Sequence, residues 1–218
     1  MKITRRELAL TTGAIVLTGA GTMAGLSMTG RQAMAQNPSL AELMKPGPLG
    51  DMAMGEENAP VTIIEYASMT CPHCAHFNDA TFPELKKKYI DTGKVRFIFR
   101  EFPLDQLAAA ASMLARCSGK DRYFPMVETL FQRQRDWVVQ KPLQPLLTLS
   151  KQAGLSEQTF NDCLKDQQVL DGIEQTRQRA AQVFNVQSTP TFFINGKLFK
   201  GAGSLEEMEK EITPYLKD

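Results

Sequence analysis

The order of strand-like and helical segments constrains the fold of this chain more than any other feature of its sequence. Residues 61–67 and 95–102 are rich in β-branched and aromatic residues, which favours strands, and residues 71–90 between them have a helical pattern. From about residue 104 to 184 the apolar residues recur at the helical period instead. Two strands joined by a helix imply a parallel pair with a right-handed crossover, so a βαβ unit followed by a long helical stretch is predicted.

Strand character returns at residues 191–200, close to the end of the chain. Asn195-Gly196 lies in the middle of this segment and is typical of the two-residue turn of a β-hairpin. Ser204 is a favourable N-cap for a last amphipathic helix over 205–216. Because a hairpin adds antiparallel strands to the parallel pair, the sequence predicts an α/β fold with an inserted helical subdomain at about 104–184.

Composition limits the classes of protein to which the chain can belong. Its 218 residues are 43% hydrophobic and 22% charged, which excludes a disordered or collagen-like chain. The formal net charge is +1, so no basic surface for nucleic acid is expected. The length suits one sizeable domain, which we place at residues 55–218, and residues 36–54, rich in Met, Pro and Gly, are interpreted as a linker.

Residues 1–35 have the features of an export signal. A positively charged start includes Arg5 and Arg6, and residues 8–30 carry no charge. Residues 33–35 (Ala-Met-Ala) form the small-x-small pattern that precedes cleavage. The paired arginines are similar to a twin-arginine signal, although the general secretory route stays open. An uncleaved membrane anchor is the less favoured alternative, because the uncharged stretch could span a bilayer but is rich in Gly and Thr.

Cys71-Pro72-His73-Cys74 lies where the first strand passes into the helix. Residues three apart in a helix share a face, so the two sulfur atoms are within reach of a disulfide. Cys71 is at the helix N-terminus, where unpaired N–H groups favour a thiolate, and His73 can add positive charge or a donor. Cys74 is one turn further on, where it suits the resolution of a mixed disulfide. The motif therefore predicts a redox-active pair.

A Cys-x-x-Cys motif can also attach haem, bind zinc or form a purely structural disulfide. Covalent haem attachment requires His directly after the second cysteine, where this chain has Ala75. A zinc site would draw on His73 and His76, but no second cluster of cysteine and histidine supplies the remaining ligands, so no metal is predicted. A purely structural disulfide is the third alternative, and a loop of this length is unusual for that role.

Residues 65–74 (Glu-Tyr-Ala-Ser-Met-Thr-Cys-Pro-His-Cys), together with residues 188–192 (Ser-Thr-Pro-Thr-Phe), carry a family resemblance. The chain resembles the DsbA family of exported bacterial thiol-disulfide oxidoreductases, within the thioredoxin superfamily. The likeness covers residues 55–217 and implies a thioredoxin fold with an inserted helical subdomain.

The resemblance also implies roles for three residues outside the Cys-Pro-His-Cys motif. Pro190 would follow a cis peptide bond and face the cysteine pair, with a trans proline at a strand edge as the alternative. Thr189 would offer backbone groups to a substrate strand. Glu65 would be a buried acid that accepts or relays the proton of Cys74, unless it occupies a solvated edge position. A partner for Glu65 could be Arg96 or Arg100 on the next strand.

Cys117 and Cys163 are the other two cysteines of the chain, and both lie in the predicted helical insertion. In an oxidising compartment they are expected to join, as in some members of the family that carry a second, non-catalytic disulfide. Two buried free thiols and a second electron-transfer site are the alternatives. Neither cysteine has a CxxC neighbour or an adjacent histidine that would activate it.

These observations together predict a dithiol oxidase that introduces disulfides into exported proteins. The resemblance implies a periplasmic protein that acts on reduced, unfolded chains and is re-oxidised by a membrane-bound thiol oxidase. No dissociable cofactor and no nucleic acid are expected, and a monomer is predicted because residues 36–54 are too short for a dimerisation segment. A disulfide isomerase or reductase on the same fold, and a non-catalytic module that binds unfolded proteins, remain the alternatives.

Overall fold

A computed structural model describes residues 38–216 of the chain. The predicted export signal at residues 1–35 lies outside this range. Within residues 38–216, no helix has the length and apolar character needed to cross a membrane.

A five-stranded mixed sheet lies at the centre of the described residues. Its strands are β1 (Met52–Met54), β2 (Val61–Ala67), β3 (Val95–Glu101), β4 (Thr191–Ile194) and β5 (Lys197–Lys200). Their order in the sheet is β1-β3-β2-β4-β5. Only β2 and β3 are parallel, and the other neighbours are antiparallel. This is the arrangement expected for a βαβ unit followed by a hairpin.

Ten α-helices surround the sheet in the described part of the chain. They are α1 (Leu40–Leu43), α2 (Pro72–Ala80), α3 (Phe82–Leu85), α4 (Gln106–Cys117), α5 (Lys120–Gln132), α6 (Gln134–Trp137), α7 (Leu143–Gln152), α8 (Glu157–Cys163), α9 (Gln167–Val183) and α10 (Leu205–Ile212). A π-helical turn at Lys86–Ile90 follows α3, and a 3-10 turn at Thr213–Tyr215 follows α10.

Helices α4 to α9 all lie between β3 and β4 in the sequence and form the helical insertion. The predicted fold class, a thioredoxin fold with an inserted helical subdomain, is therefore confirmed. The structure has six helices in this stretch, of which the four-residue α6 is too short to show a period in the sequence. Ser204 caps α10 through its side chain, as predicted, and Ser156 caps α8 in the same way.

Strand β2 separates two parts of the core because successive side chains point to opposite faces of the sheet. Ile63 and Ala67 pack with α2, α3 and α10. Ile64 and Tyr66 pack on the other face with α1 and α9. Glu65 lies on the same side as Ile63, and its direct neighbours in the sheet are phenylalanines of β3 and β4. The register thus places one acid inside an apolar layer.

The single helix predicted over 71–90 is broken in the structure. Helix α2 ends at Ala80, and Thr81 has φ −110° and ψ −44° before α3 begins. Pro83 has no N–H to donate to the carbonyl group four residues earlier, so the α-helical hydrogen bonds are interrupted there. Pro214 lies in the 3-10 turn after α10, and the last helix accordingly ends at Ile212 instead of Leu216.

The end of the predicted linker is part of the sheet, so this segment is not the simple linker that its composition suggests. Met52–Met54 pairs antiparallel with β3 as an edge strand. The preceding Asp51 accepts two hydrogen bonds from the buried Arg100 of β3, at 2.8 and 2.9 Å. A three-residue strand without β-branched residues carries no local signal, and its position depends on the partner strand and on this ion pair.

Cys117 and Cys163 form a disulfide that joins the C-terminal ends of α4 and α8. Their Cα atoms are 6.1 Å apart, and 46 residues separate them in the sequence. The bond therefore closes a loop within the helical insertion.

Replacing Cys117 and Cys163 together with serine should lower the free energy of unfolding. The chain-entropy relation gives about 4 kcal/mol for closing a loop of 46 residues, as an upper limit. Urea unfolding of the non-reduced wild type and of the double variant measures the difference. Equal unfolding free energies would show that the disulfide does not stabilise the insertion.

Candidate active site

Cys71 is the N-cap residue of α2, and Pro72 is the first residue of that helix. Proline is well suited to this position, because the first N–H groups of a helix have no partner within it. The Cys71 sulfur makes no side-chain capping hydrogen bond, but the following N–H groups, of His73 and Cys74, are near enough to it to lower its pKa. Cys71 is 5% exposed and Cys74 is fully buried, and both are free thiols. Cys71 is therefore the cysteine of the pair that is accessible from solvent.

Thr189-Pro190 is a cis peptide bond, as the resemblance implies. It precedes β4 and brings Thr189 against the active-site helix, where the Cys71 thiol, when protonated, donates to the Thr189 carbonyl group at 3.3 Å. The hydroxyl group of Thr189 is buried and has no other hydrogen-bond partner within the described residues, so it is free to donate to the Cys71 thiolate. Thr189 thus places polar groups next to the Cys71 sulfur although the two residues are 118 positions apart in the sequence.

The pKa of Cys71 is lowered to about 5 by this environment. The largest cause is a hydrogen bond from the thiol of Cys74, followed by the side chain of Thr189 and then the N–H groups of Cys74 and His73. Burial acts in the opposite direction and raises the pKa. His73 was expected to add positive charge or a donor; its side chain is exposed, and its main-chain N–H is the donor that contributes.

The pKa of Cys74 is raised far above its ordinary value. Burial is the main cause, and Cys74 in addition uses its proton in the hydrogen bond to Cys71. The nearby carboxyl group of Glu65 adds to the effect, since a second negative charge would be unfavourable there. The two cysteines therefore differ in kind: Cys71 holds a thiolate at neutral pH, and Cys74 holds a proton.

Glu65 is only 3% exposed, and its Oε1 atom has no hydrogen-bond partner in the described part of the chain. Burial raises its pKa to about 8, with a smaller contribution from the negative charge of Cys71. Neither arginine of β3 pairs with it. Arg100 shares the opposite face with Tyr66 and binds its hydroxyl group at 2.8 Å, and Arg96 lies beside Thr62. Glu65 is thus protonated at neutral pH.

Two contacts of the active-site loop could not be predicted from the sequence. Thr70 donates to the carboxylate of Asp105 at 2.6 Å, which ties the loop to the N-cap of α4. The side-chain amide of Gln134, the first residue of α6, donates to the carbonyl groups of Met69 at 2.8 Å and Cys71 at 3.1 Å. A single threonine or glutamine forms no recognisable sequence pattern, so the contacts of Thr70 and Gln134 could not be predicted.

The structure brings together Cys71, Cys74, Thr189, Pro190 and Glu65. Cys117 and Cys163 are bonded to each other in the insertion and do not belong to this group. His73 and His76 both point to solvent from α2. Within residues 38–216, no group of three or more His, Cys, Asp or Glu side chains is arranged to hold a metal ion.

Residues 49–213 match the family model described as Thioredoxin, which covers more than half of the chain. Among solved structures, the chain is similar to α-DsbA1 of Wolbachia pipientis, with 33% sequence identity and a TM-score of 0.75, over 82% of this chain and 96% of that one. The chain belongs to the DsbA family. A second DsbA-family structure, oxidised BdbD of Bacillus subtilis, is 26% identical with a TM-score of 0.68, over 76% of this chain and 92% of that one.

Relatives identified by sequence carry names of the same kind. A putative protein-disulfide oxidoreductase of Rickettsia bellii is 34% identical over 148 residues, which are 67% of this chain and 57% of that protein. Disulfide bond formation protein D of Bacillus subtilis is 29% identical over 196 residues, or 86% of this chain and 83% of that one. The chain spans a little over half the length of the rickettsial relatives.

The reduced DsbA-type site should show two opposing pH dependences of stability. Cys71 has a lowered pKa, so its thiolate stabilises the fold increasingly as pH rises above about 5. Glu65 has a raised pKa, so its contribution is full below the unfolded value and is lost as pH rises towards about 8. Each slope is about 1.4 kcal/mol per pH unit, and between pH 5 and about 8 they largely cancel.

Single variants should separate the two slopes. Glu65→Gln should make the reduced protein more stable with rising pH, and Cys71→Ser should make it less stable. Urea unfolding at several pH values between 5 and 8 measures both, in a Cys117→Ser/Cys163→Ser background so that reductant acts on one pair only. Parallel pH profiles for both variants and their parent would contradict these assignments.

Proposed function

We propose that this chain is a protein thiol-disulfide oxidoreductase that introduces disulfides into exported proteins through Cys71 and Cys74. The observation that carries the proposal is the contrast within the pair: a thiolate-forming Cys71 with a pKa of about 5 beside a buried, protonated Cys74. A purely structural disulfide does not require two cysteines with such different pKa values. The DsbA-family relatives described above support the same chemistry by their names.

The first half of the reaction begins with the oxidised Cys71–Cys74 pair. A substrate thiolate attacks the sulfur of Cys71, which is the exposed member, and forms a mixed disulfide with it. The bond between Cys71 and Cys74 breaks, and its electron pair leaves on the Cys74 sulfur. That sulfur is fully buried and needs a proton. The protonated carboxyl group of Glu65 is the nearby acid that supplies it and later recovers it from solvent.

The second half of the reaction releases the product. A second thiolate of the substrate attacks the substrate sulfur of the mixed disulfide and forms the new disulfide bond. Cys71 leaves with the electron pair, as a thiolate held by the helix N-terminus, Thr189 and the Cys74 thiol. Two electrons have passed from the substrate dithiol to the pair, which is now reduced. A sulfur with a low pKa is a good leaving group, so the environment of Cys71 favours this direction.

Thr189 is proposed to bind the substrate as well as the sulfur. It immediately precedes Pro190 and lies against Cys71, so a substrate segment joined to Cys71 must pass beside it. Its main-chain groups can then pair with the extended backbone of that segment, as in strand addition. This contact is independent of side-chain identity, which suits an enzyme that acts on many unfolded chains.

The cellular setting is part of the proposal. We place the protein in the periplasm, after removal of residues 1–35, where its substrates are reduced and incompletely folded exported proteins. Because each turnover leaves Cys71 and Cys74 reduced, a membrane-bound thiol oxidase must re-oxidise them. Cys71 and Cys74 themselves carry the electrons, so the reaction needs no dissociable cofactor. We further propose that the protein acts as a monomer.

A refolding assay with two substrates tests the proposal. The oxidised protein should restore activity to a reduced, unfolded disulfide-containing enzyme at a much higher rate than it rescues a scrambled one. Cys71→Ser should reduce oxidation to the uncatalysed rate, because it removes the sulfur that is attacked. Cys74→Ser should accumulate mixed disulfides through Cys71 with the scrambled enzyme, because the Cys71 thiolate attacks its disulfides and no second cysteine releases the product; mass spectrometry identifies these adducts.

The Cys117→Ser/Cys163→Ser variant is the matched control, since it removes two sulfurs that lie outside the site. It should retain oxidase turnover at a temperature where it is folded. Preferential rescue of the scrambled enzyme would instead identify an isomerase. Binding of unfolded chains without any thiol exchange would identify a binding module, and either result would overturn the proposal.

A further inference from the structure

One side chain of the helical insertion reaches the backbone of the active-site loop directly. Gln134 is half-buried at the start of α6, and both of its amide hydrogen bonds go to that loop. One joins its Nε2 atom to the Met69 carbonyl oxygen at 2.8 Å, and the other joins Nε2 to the Cys71 carbonyl oxygen at 3.1 Å. These two carbonyl groups lie on either side of Thr70, so a single planar amide joins the peptide unit before Thr70 to the one that follows Cys71.

The side chains of Ser68 and Thr70 tie the loop between β2 and α2 to Leu104 and Asp105, but these bonds do not reach the Cys71 carbonyl group. The N–H of Cys71 donates to the Ser68 carbonyl group at 3.0 Å, which closes a turn. The Cys71 carbonyl group also accepts the first main-chain hydrogen bond of α2, from Ala75 at 3.1 Å. The bond from Gln134 therefore reaches an oxygen that already receives one hydrogen bond, and it fixes the direction of that carbonyl group from outside the helix.

We propose that Gln134 is a positioning residue of the active site, whose amide holds Cys71 in the N-cap conformation that directs its sulfur to the N–H groups of α2 and to Thr189. The proposal rests on the function proposed above and names the contribution of the helical insertion to it. Gln134 does not touch the reacting sulfur, and it acts only through the backbone on either side of Thr70.

The physical reason lies in the backbone of Cys71, which has φ −76° and ψ 119° and so is extended and not helical. Rotation about this ψ angle turns the Cys71 carbonyl group and also changes where the sulfur lies relative to the N–H groups of His73 and Cys74. A carbonyl group held by two donors rotates less freely than one held by Ala75 alone. The primary amide is suited to this task, because it offers two N–H donors in one plane.

Paired leucine variants test the role of the amide. Gln134→Leu replaces the amide with a somewhat shorter apolar side chain that has no donor, and Gln132→Leu, at an exposed position two residues earlier, is the matched control. The absorbance of the thiolate, followed against pH in the reduced full chain, gives the pKa of Cys71. Loss of the amide should raise that pKa by about half a unit to one unit, the equivalent of one ordinary hydrogen bond.

Alkylation kinetics give a readout that does not depend on the fraction of thiolate. At pH 8 the Cys71 of the wild type and of both leucine variants is ionised, so any difference in rate reports the position of the sulfur. Gln134→Leu should react at a rate different from the other two proteins, whereas Gln132→Leu should match the wild type. A structural role that leaves the site intact would change neither the pKa nor this rate.

A second pair of variants covers the case in which Gln134→Leu does not fold. Gln134→Glu replaces the amide with a group that cannot donate when ionised, and Gln132→Glu adds the same charge to the same segment. The pKa of Cys71 should rise more in Gln134→Glu than in Gln132→Glu. Equal values within each pair would overturn the proposal.

The two proposals fail in different ways. A wild-type protein that oxidises substrates, together with unchanged pKa values in the Gln134 variants, would remove the positioning role alone. A raised pKa in the Gln134 variants, together with a wild type that oxidises nothing, would leave the positioning role and remove the oxidase.

Discussion

The stabilisation of one negative charge on Cys71 is the interaction on which the rest of this structure depends. The sulfur lies where two separate parts of the chain meet: the N-terminus of α2, which also carries the buried thiol of Cys74, and the Thr189-Pro190 turn before β4. Strands β2 and β4 are neighbours in the sheet, which brings the two segments together across 118 residues. The helical insertion adds a third support through Gln134.

The surroundings of that charge explain why the other acidic groups stay protonated. Glu65 and Cys74 are both buried, and the pKa of each is raised by burial and by the proximity of the other charged groups. A low-dielectric interior tolerates a second negative charge poorly, so the reduced site holds one charge and two protons. The positions of the two arginines of β3 are consistent with this distribution, because Arg96 lies beside Thr62 and Arg100, on the opposite face, binds Asp51. The protons on Glu65 and Cys74 are then available during thiol-disulfide exchange.

The sequence allowed the α/β topology and the cysteine pair to be predicted because both leave strong local signals. Strand-like runs, the Asn195-Gly196 turn and the Cys-Pro-His-Cys motif are all contiguous in the chain. Strand β1, the break at Thr81 and the contact of Gln134 could not be predicted, since each depends on a partner distant in sequence or on proline geometry. His73 contributes a donor through its main chain, because a helix N-terminus presents its main-chain N–H groups whichever side chain they carry.

The relative stability of the two redox forms tests the central claim most directly. A thiolate on Cys71 stabilises only the reduced protein. This contribution is complete above the pKa of Cys71 in the unfolded chain, about 8.5, and is lost as pH falls through its pKa in the folded protein, about 5. Denaturant unfolding of the Cys117→Ser/Cys163→Ser protein, with Cys71 and Cys74 either reduced or joined, measures the difference. We expect the reduced form to be more stable at pH 7, by a margin that shrinks towards pH 5. An oxidised form that is more stable at pH 7 would contradict the account, because the pair would then act as a structural disulfide.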